Sequence, residues 1–213
     1  MDQLTSIVER ARAELMAKNE VRDLTLRRSR ELIRFCAHSI RASHRGELDR
    51  AVELLDTARA AAQEMTDDLR DHPDLSHTGY TLDALKELAE AHITYAWITG
   101  QPLPEPEALG VPYTAYLKGT GEAAAEMRRH VLDLIRQGKV AQGEPFLQLM
   151  DAAYSLLMTI DFPDAITGGL RRTSDMVRGV VERTRGDLTV ATRQEQLQEA
   201  LQALEARVSK SEG

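Results

Sequence analysis

A single cysteine among 213 residues leaves no partner for an intrachain disulfide. That thiol, Cys36, lies between Ile33 and Ile40 on an apolar stripe and reads as a small buried residue in a reducing compartment. Aromatic residues are scarce as well, at 4% of the chain, so the core must be built from Leu, Ile, Val, Ala and Met in the manner of a helix bundle. The same scarcity gives little material for stacking against bases; Trp97, Tyr95 and Tyr116 read as core or interface residues. No apolar run reaches transmembrane length and the N-terminus is polar from Asp2 onward, which points to a cytoplasmic protein with no membrane partner. Internal repeats, low-complexity tracts and long linkers are missing too, and one domain spanning residues 1–213 is expected.

Proline is sparse and well placed. Pro73, Pro102, Pro104, Pro106, Pro112, Pro145 and Pro163 leave long stretches between them in which apolar residues recur at spacings of three and four, and no strand candidate survives. The expected fold is all-α, a bundle of about seven helices. The first runs from about Asp2 to His44, with Gly46 as its stop; the second from Glu47 to about Asp71; the third from Thr78 to Thr99, closed by Gly100. After a Pro-rich loop, Gln101 to Val111, a fourth runs from Pro112 to Gln137 and a fifth from Glu144 to Ile160. A sixth is expected from Asp164 to Arg185 and a seventh from Leu188 to Lys210, with Gly186 separating them. The seventh carries Leu197, Leu201, Leu204 and Val208 at alternating spacings of four and three, a seam suited to packing on a neighbouring helix of the same or another chain.

Net charge is −7, which excludes a uniformly basic surface, yet the charge is unevenly spread. Between Arg22 and Arg45 stand Arg22, Arg27, Arg28, Arg30, Arg34, Arg41 and Arg45 against Asp23 and Glu31. A second basic cluster comprises Arg171, Arg172, Arg178, Arg183 and Arg185. The segment from Glu53 to Glu90 is strongly acidic by contrast. Arginine supplies every cation in both clusters, and its planar fork holds phosphate in two bonds where lysine offers a point charge. Two uses are open: phosphate contacts of a bound RNA, with Arg27, Arg30, Arg34, Arg41 and Arg45 as the candidates, or ion pairs within helices and between subunits.

Four carboxylates carry the remaining chemical signal. Glu87 and Glu90 are three apart on the third helix, and Glu122 and Glu126 four apart on the fourth, so each pair shares a helix face. If those faces meet, four hard oxygen donors converge on a site suited to Mg²⁺, with Mn²⁺ as a substitute, which would polarise a phosphoryl group and activate water. Solvated acids on helix surfaces are the alternative. Their neighbours argue for more: Leu85, Leu88, Ile93 and Trp97 flank the first pair, and a small, apolar run from Gly119 to Met127 holds the second. Gly119 and Gly121 cost roughly 1 kcal/mol each in helix propensity, which fits close approach of another helix or of a phosphate. His92, beside the acids, is a possible proton shuttle, but a structural histidine is the plainer reading.

At these residues the chain resembles the translin and TRAX family. LKELAEAHITYAWI (Leu85 to Ile98) is similar to the TRAX segment bearing two metal-binding glutamates, which fall on Glu87 and Glu90. AYLKGTGEAAAEMRR (Ala115 to Arg129) is similar to the family's Tyr-Leu, glycine, acid and Glu-Leu-x-Arg hallmark, whose acids fall on Glu122 and Glu126. GLRRTSDMVRGVVERTRGDLT (Gly169 to Thr189) resembles the C-terminal region of microbial members. The first acid of the fourth helix is usually aspartate in TRAX and is Glu122 here; the aspartate that usually precedes Tyr-Leu is Ala115. The resemblance implies a translin-like helical fold that assembles into a closed homo-oligomeric shell of six or eight subunits. It also implies Mg²⁺-dependent endoribonuclease activity of TRAX type at Glu87, Glu90, Glu122 and Glu126, acting on single-stranded or duplex RNA inside the chamber. A translin-like binding protein without catalysis and a helical scaffold are the competing expectations.

Overall fold

The computed structural model describes residues 1–211, and among them every regular element is helical. In chain order these are α1 (Asp2–His44), α2 (Leu48–Asp67), α3 (Pro73–Ser76), α4 (Gly79–Thr99), α5 (Pro106–Leu109), α6 (Tyr113–Arg136), a 3₁₀ turn (Val140–Gly143), α7 (Glu144–Leu157), α8 (Asp164–Thr167) and α9 (Leu170–Ser211). The chain falls into two compact units, one reaching from Met1 to Thr120 and the other from Gly121 onward, and the division passes through the continuous helix α6.

In the first unit α1 and α2 form an antiparallel hairpin. Ser29 on α1 donates to Met65 Sδ at 3.3 Å, and Ser39, ten residues on, donates to the Ala51 carbonyl at 3.0 Å, so the residue numbers run in opposite directions along the pair. Arg28 reinforces the contact by bridging Glu64 on α2 and Asp68, which caps its C-terminal end. Leu32, Cys36, Ala51, Ala58 and Met65 are fully buried, and a leucine so placed contributes about 1.5–3 kcal/mol. Helix α4 completes this core. It is buried around most of its circumference, Leu85, Leu88, Ala89, Ala91, Ile93 and Ala96 included, which is the pattern of a central rather than a surface helix.

In the second unit α7 packs on α9, with Met150 and Val177 buried and Arg185 paired to Asp151 at 3.1 Å. Two of the expected boundaries fail there. No break occurs at Gly186, and α9 is one helix of 42 residues. The reason is packing on both sides of the glycine: Thr184, Leu188 and Ala191 are buried, and Arg128 reaches both Thr184 and Asp187. A propensity cost of about 1 kcal/mol cannot stop a helix held on both flanks. The actual break is earlier, at Gly168 and Gly169, whose φ values of 61° and 86° lie in the left-handed region open to glycine; only four residues, Asp164–Thr167, form α8 before it. The second expected helix likewise ends early, at Asp67, and Pro73 starts the separate short α3. About seven expected helices thus become nine among the described residues, three of them single turns.

The outer parts of both long helices are thinly covered. Leu4, Ile7, Val8, Leu15 and Met16 on α1 are exposed, as are Leu197, Leu201, Leu204 and Val208 on α9. The leucine seam expected to pack on a neighbouring helix is therefore uncovered within this chain. None of the helices, among the described residues, is long and apolar enough to cross a membrane.

Candidate metal and nucleic-acid sites

Helix α6 meets α4 at closer than ordinary range because it lacks a side chain at the crossing. A Cβ on Gly119 would lie 2.7 Å from the Lys86 carbonyl oxygen and 2.9 Å from both Ala89 Cβ and the Glu90 amide nitrogen. Two of these obstacles are backbone atoms and cannot yield, so the glycine is a packing requirement, as is Gly121, whose Cβ would lie 2.3 Å from a Thr173 methyl. The close approach places α6 against the stretch of α4 that carries the first acid pair, and Glu122 follows one turn after Gly119 on the same helix.

Carboxylate oxygens of Glu87, Glu90 and Glu122 all lie within 4.8 Å of one another. Glu90 is only 7% exposed, and Glu87 and Glu122 are partly buried. Glu126 stands one turn beyond Glu122 and is not one of the converging three. The donor set fits a hard divalent cation. Ligand oxygens 2.0–2.1 Å from Mg²⁺ lie about 2.9 Å apart when adjacent and about 4.2 Å when opposite, a span these groups can match. Oxygen donors alone favour Mg²⁺, Mn²⁺ or Ca²⁺ over zinc and copper.

The surroundings of this cluster were only partly readable in advance. Lys86 pairs with Glu87 at 3.2 Å and neutralises part of the charge. Cys36 is fully buried, as expected, but its position beside the acids was not: burial and the neighbouring Glu87 and Glu90 charges both push its thiol up, keeping it protonated. His92 belongs elsewhere. Two residues beyond Glu90, it points to the other side of α4, where its Nδ1–H donates to the Leu88 carbonyl at 2.9 Å; burial lowers its pKa and keeps it neutral. Tyr116 is not displayed for stacking either, since its hydroxyl donates to the Pro104 carbonyl at 2.8 Å and ties down the Pro-rich loop.

The candidate arginines of α1 form a line. At 100° per residue, Arg27, Arg30, Arg34, Arg41 and Arg45 fall within about 60° of one another, a stripe of about 27 Å along the helix axis. All five are exposed. Arg34 pairs with Glu31 at 3.1 Å, and Arg45 makes two bonds to Glu47, at 2.7 and 2.9 Å; Arg27, Arg30 and Arg41 have no ion-pair partner among the described residues. Ion pairs within this chain thus account for two of the five. Their spacing of 3, 4, 7 and 4 was visible in the sequence and is the signal that the cluster is one face.

Comparison with known proteins gives consistent neighbours. No family model matches the chain. An uncharacterized protein of Methanocaldococcus jannaschii is 27% identical over 212 residues, covering 98% of this chain and 91% of that protein. Among solved structures, AfC3PO matches with a TM-score of 0.78 at 28% identity, over 87% of this chain and 96% of that one. The same protein in complex with duplex RNA matches with a TM-score of 0.75 at 29% identity and the same coverage. Apo-NeC3PO shares the fold, with a TM-score of 0.77 at 21% identity over 86% of this chain and 96% of that one.

Proposed function

Since the chain is a member of the translin/TRAX-like family to which the C3PO structures belong, we propose that it is an RNA-binding, Mg²⁺-dependent endoribonuclease, cytoplasmic and working inside a homo-oligomeric chamber. The observation that carries this reading is the convergence of Glu87, Glu90 and Glu122, one of them almost wholly buried. Burying a carboxylate beside two others is costly, and a divalent cation would offset the charge they bring together.

Glu87, Glu90 and Glu122 would hold the Mg²⁺, with Glu126 one turn away on the same face as Glu122. When bound, the cation supplies Lewis acidity toward a phosphoryl oxygen and lowers the pKa of an attacking water. The arginine stripe holds the phosphate backbone without reading bases, which suits a sequence-tolerant enzyme. The AfC3PO complex contains duplex RNA, and a 27 Å row of cations, as estimated for α1, follows a duplex backbone as readily as a single strand. The uncovered apolar residues of α1 and α9 are the surfaces we assign to subunit contacts in a shell of six or eight copies.

A second reading, RNA binding without cleavage, is favoured by one observation. The Lys86 ammonium already occupies Glu87 and competes with a metal for it. Incubating end-labelled RNA with the protein in Mg²⁺ or in EDTA separates the two. The enzyme reading requires internal cuts in Mg²⁺ that vanish in EDTA and in Glu122→Gln; intact RNA under all conditions, with binding preserved, supports the second.

A further inference from the structure

Thr94 stands apart from every other buried serine and threonine in the described residues, although the hydroxyl of the half-buried Tyr80 is likewise without a partner. The buried serine and threonine side chains elsewhere all donate to a protein acceptor; Thr25, Ser43, Ser174 and Thr184, for instance, bond to the carbonyl four residues back at 2.8, 3.0, 3.2 and 2.8 Å. Thr94 is 0% exposed, and its Oγ1 has no protein partner. Leaving a buried hydroxyl unpaired costs free energy, and a helix offers such a group its own i−4 carbonyl, here that of Glu90. A side chain that forgoes this bond while sealed from solvent is positioned for a partner the polypeptide does not provide.

Its location says which partner. At 100° per residue Thr94 lies within about 60° of both Glu87 and Glu90, on the same face of α4 and four residues beyond Glu90. Side chains on a helix lean toward its N-terminus and cover the preceding turn, so Thr94 leans toward Glu90. We propose that Thr94 is a positioning residue of the metal site, its hydroxyl holding the hydration shell of the divalent cation bound by Glu87, Glu90 and Glu122. The inference rests on the reading that these carboxylates bind such a cation. It suits Mg²⁺ and Mn²⁺ in particular, since a site with few protein ligands leaves several waters on the ion that need hydrogen-bond partners of their own.

The test uses the purified full-length protein and Mn²⁺ alone, titrated by calorimetry or by loss of the free-ion paramagnetic resonance signal, with melting temperature in EDTA as the second readout. Thr94→Val keeps the shape and removes the hydroxyl; Thr94→Ser keeps the hydroxyl. The expected result is Mn²⁺ affinity at least ~10-fold weaker in Thr94→Val and within about 3-fold of the parent in Thr94→Ser. In EDTA, Thr94→Val should melt no lower than the parent, because valine replaces an unpartnered hydroxyl. Equal Mn²⁺ affinity in parent and Thr94→Val overturns the role of Thr94 while leaving the carboxylate site intact. Thr94→Val melting well below the parent in EDTA overturns it too, by showing that the hydroxyl serves the metal-free fold. A parent that binds no Mn²⁺ overturns this inference and the metal reading together.

Discussion

The carboxylate face of α4 and α6 and the arginine face of α1 are opposite in more than sign. Three acids are brought within 4.8 Å of one another, with Glu90 buried, whereas the five arginines are exposed and spread over several turns. Burial fixes a few charges in one geometry at a desolvation cost, which is what positioning a cation for chemistry requires. Exposure leaves charges individually weak and screened by salt, but a row of them gives an affinity that tolerates any sequence. In the function proposed above, one region acts and the other holds.

The sharpest way to break this comparison is to remove one charge from each region. Glu90→Gln or Glu122→Gln should reduce RNA cleavage at least about 100-fold, more than the loss of an outer-shell partner, with RNA affinity changed only a few-fold. Cleavage at the parental rate would remove these residues from the site. Next in size is assembly. Leu201 and Leu204 are 51% and 55% exposed, so about half of each is still available for burial, worth about 1 kcal/mol apiece. Leu201→Glu with Leu204→Glu should therefore shift the species seen by sedimentation velocity to lower mass with helical circular dichroism unchanged. RNA affinity should fall with it; a dissociated variant that binds RNA as tightly as the parent would separate assembly from recognition.

A smaller effect is expected from the arginine stripe. Replacing Arg30 and Arg41, which have no ion-pair partner among the described residues, should weaken RNA binding about equally for all sequences. It should also flatten the dependence of log affinity on log salt by about 1.4, from ~0.7 per single-strand phosphate. Arg34 and Arg45, already held by Glu31 and Glu47, should matter less.

The smallest effect concerns His92. Its pKa is lowered in the folded protein, first by burial, so the unfolded chain binds the proton more readily. Its contribution to stability is present above the ordinary histidine pKa of about 6.5 and is lost as pH falls below it. His92→Asn should reduce that acid-side loss in urea titrations and leave the pH profile of cleavage unchanged; a shifted cleavage profile would return His92 to the site.

Much of this was legible in the sequence, for reasons that also explain what was not. Proline and apolar spacing marked α1, α4 and α6 to within a residue or two, because their ends coincide with glycine and proline punctuation such as Gly46, Gly100 and Pro112. Gly186 misled because propensity is local, whereas Leu188 and Arg128 hold α9 through that point by contacts distant in sequence. The acid pairs were visible as helix faces, but only the Gly119 crossing determines that Glu87, Glu90 and Glu122 converge and that Glu126 is not among them. Thr94 gave no signal at all, since an unpartnered hydroxyl is a property of the packed core rather than of any spacing.

The most direct test of the central claim is a crystal soaked in Mn²⁺ and measured for anomalous scattering. The account predicts one strong peak between α4 and α6, within bonding distance of Glu87, Glu90 and Glu122, and its loss in Glu90→Gln. A map without density there at Mn²⁺ concentrations that support RNA cleavage would contradict it.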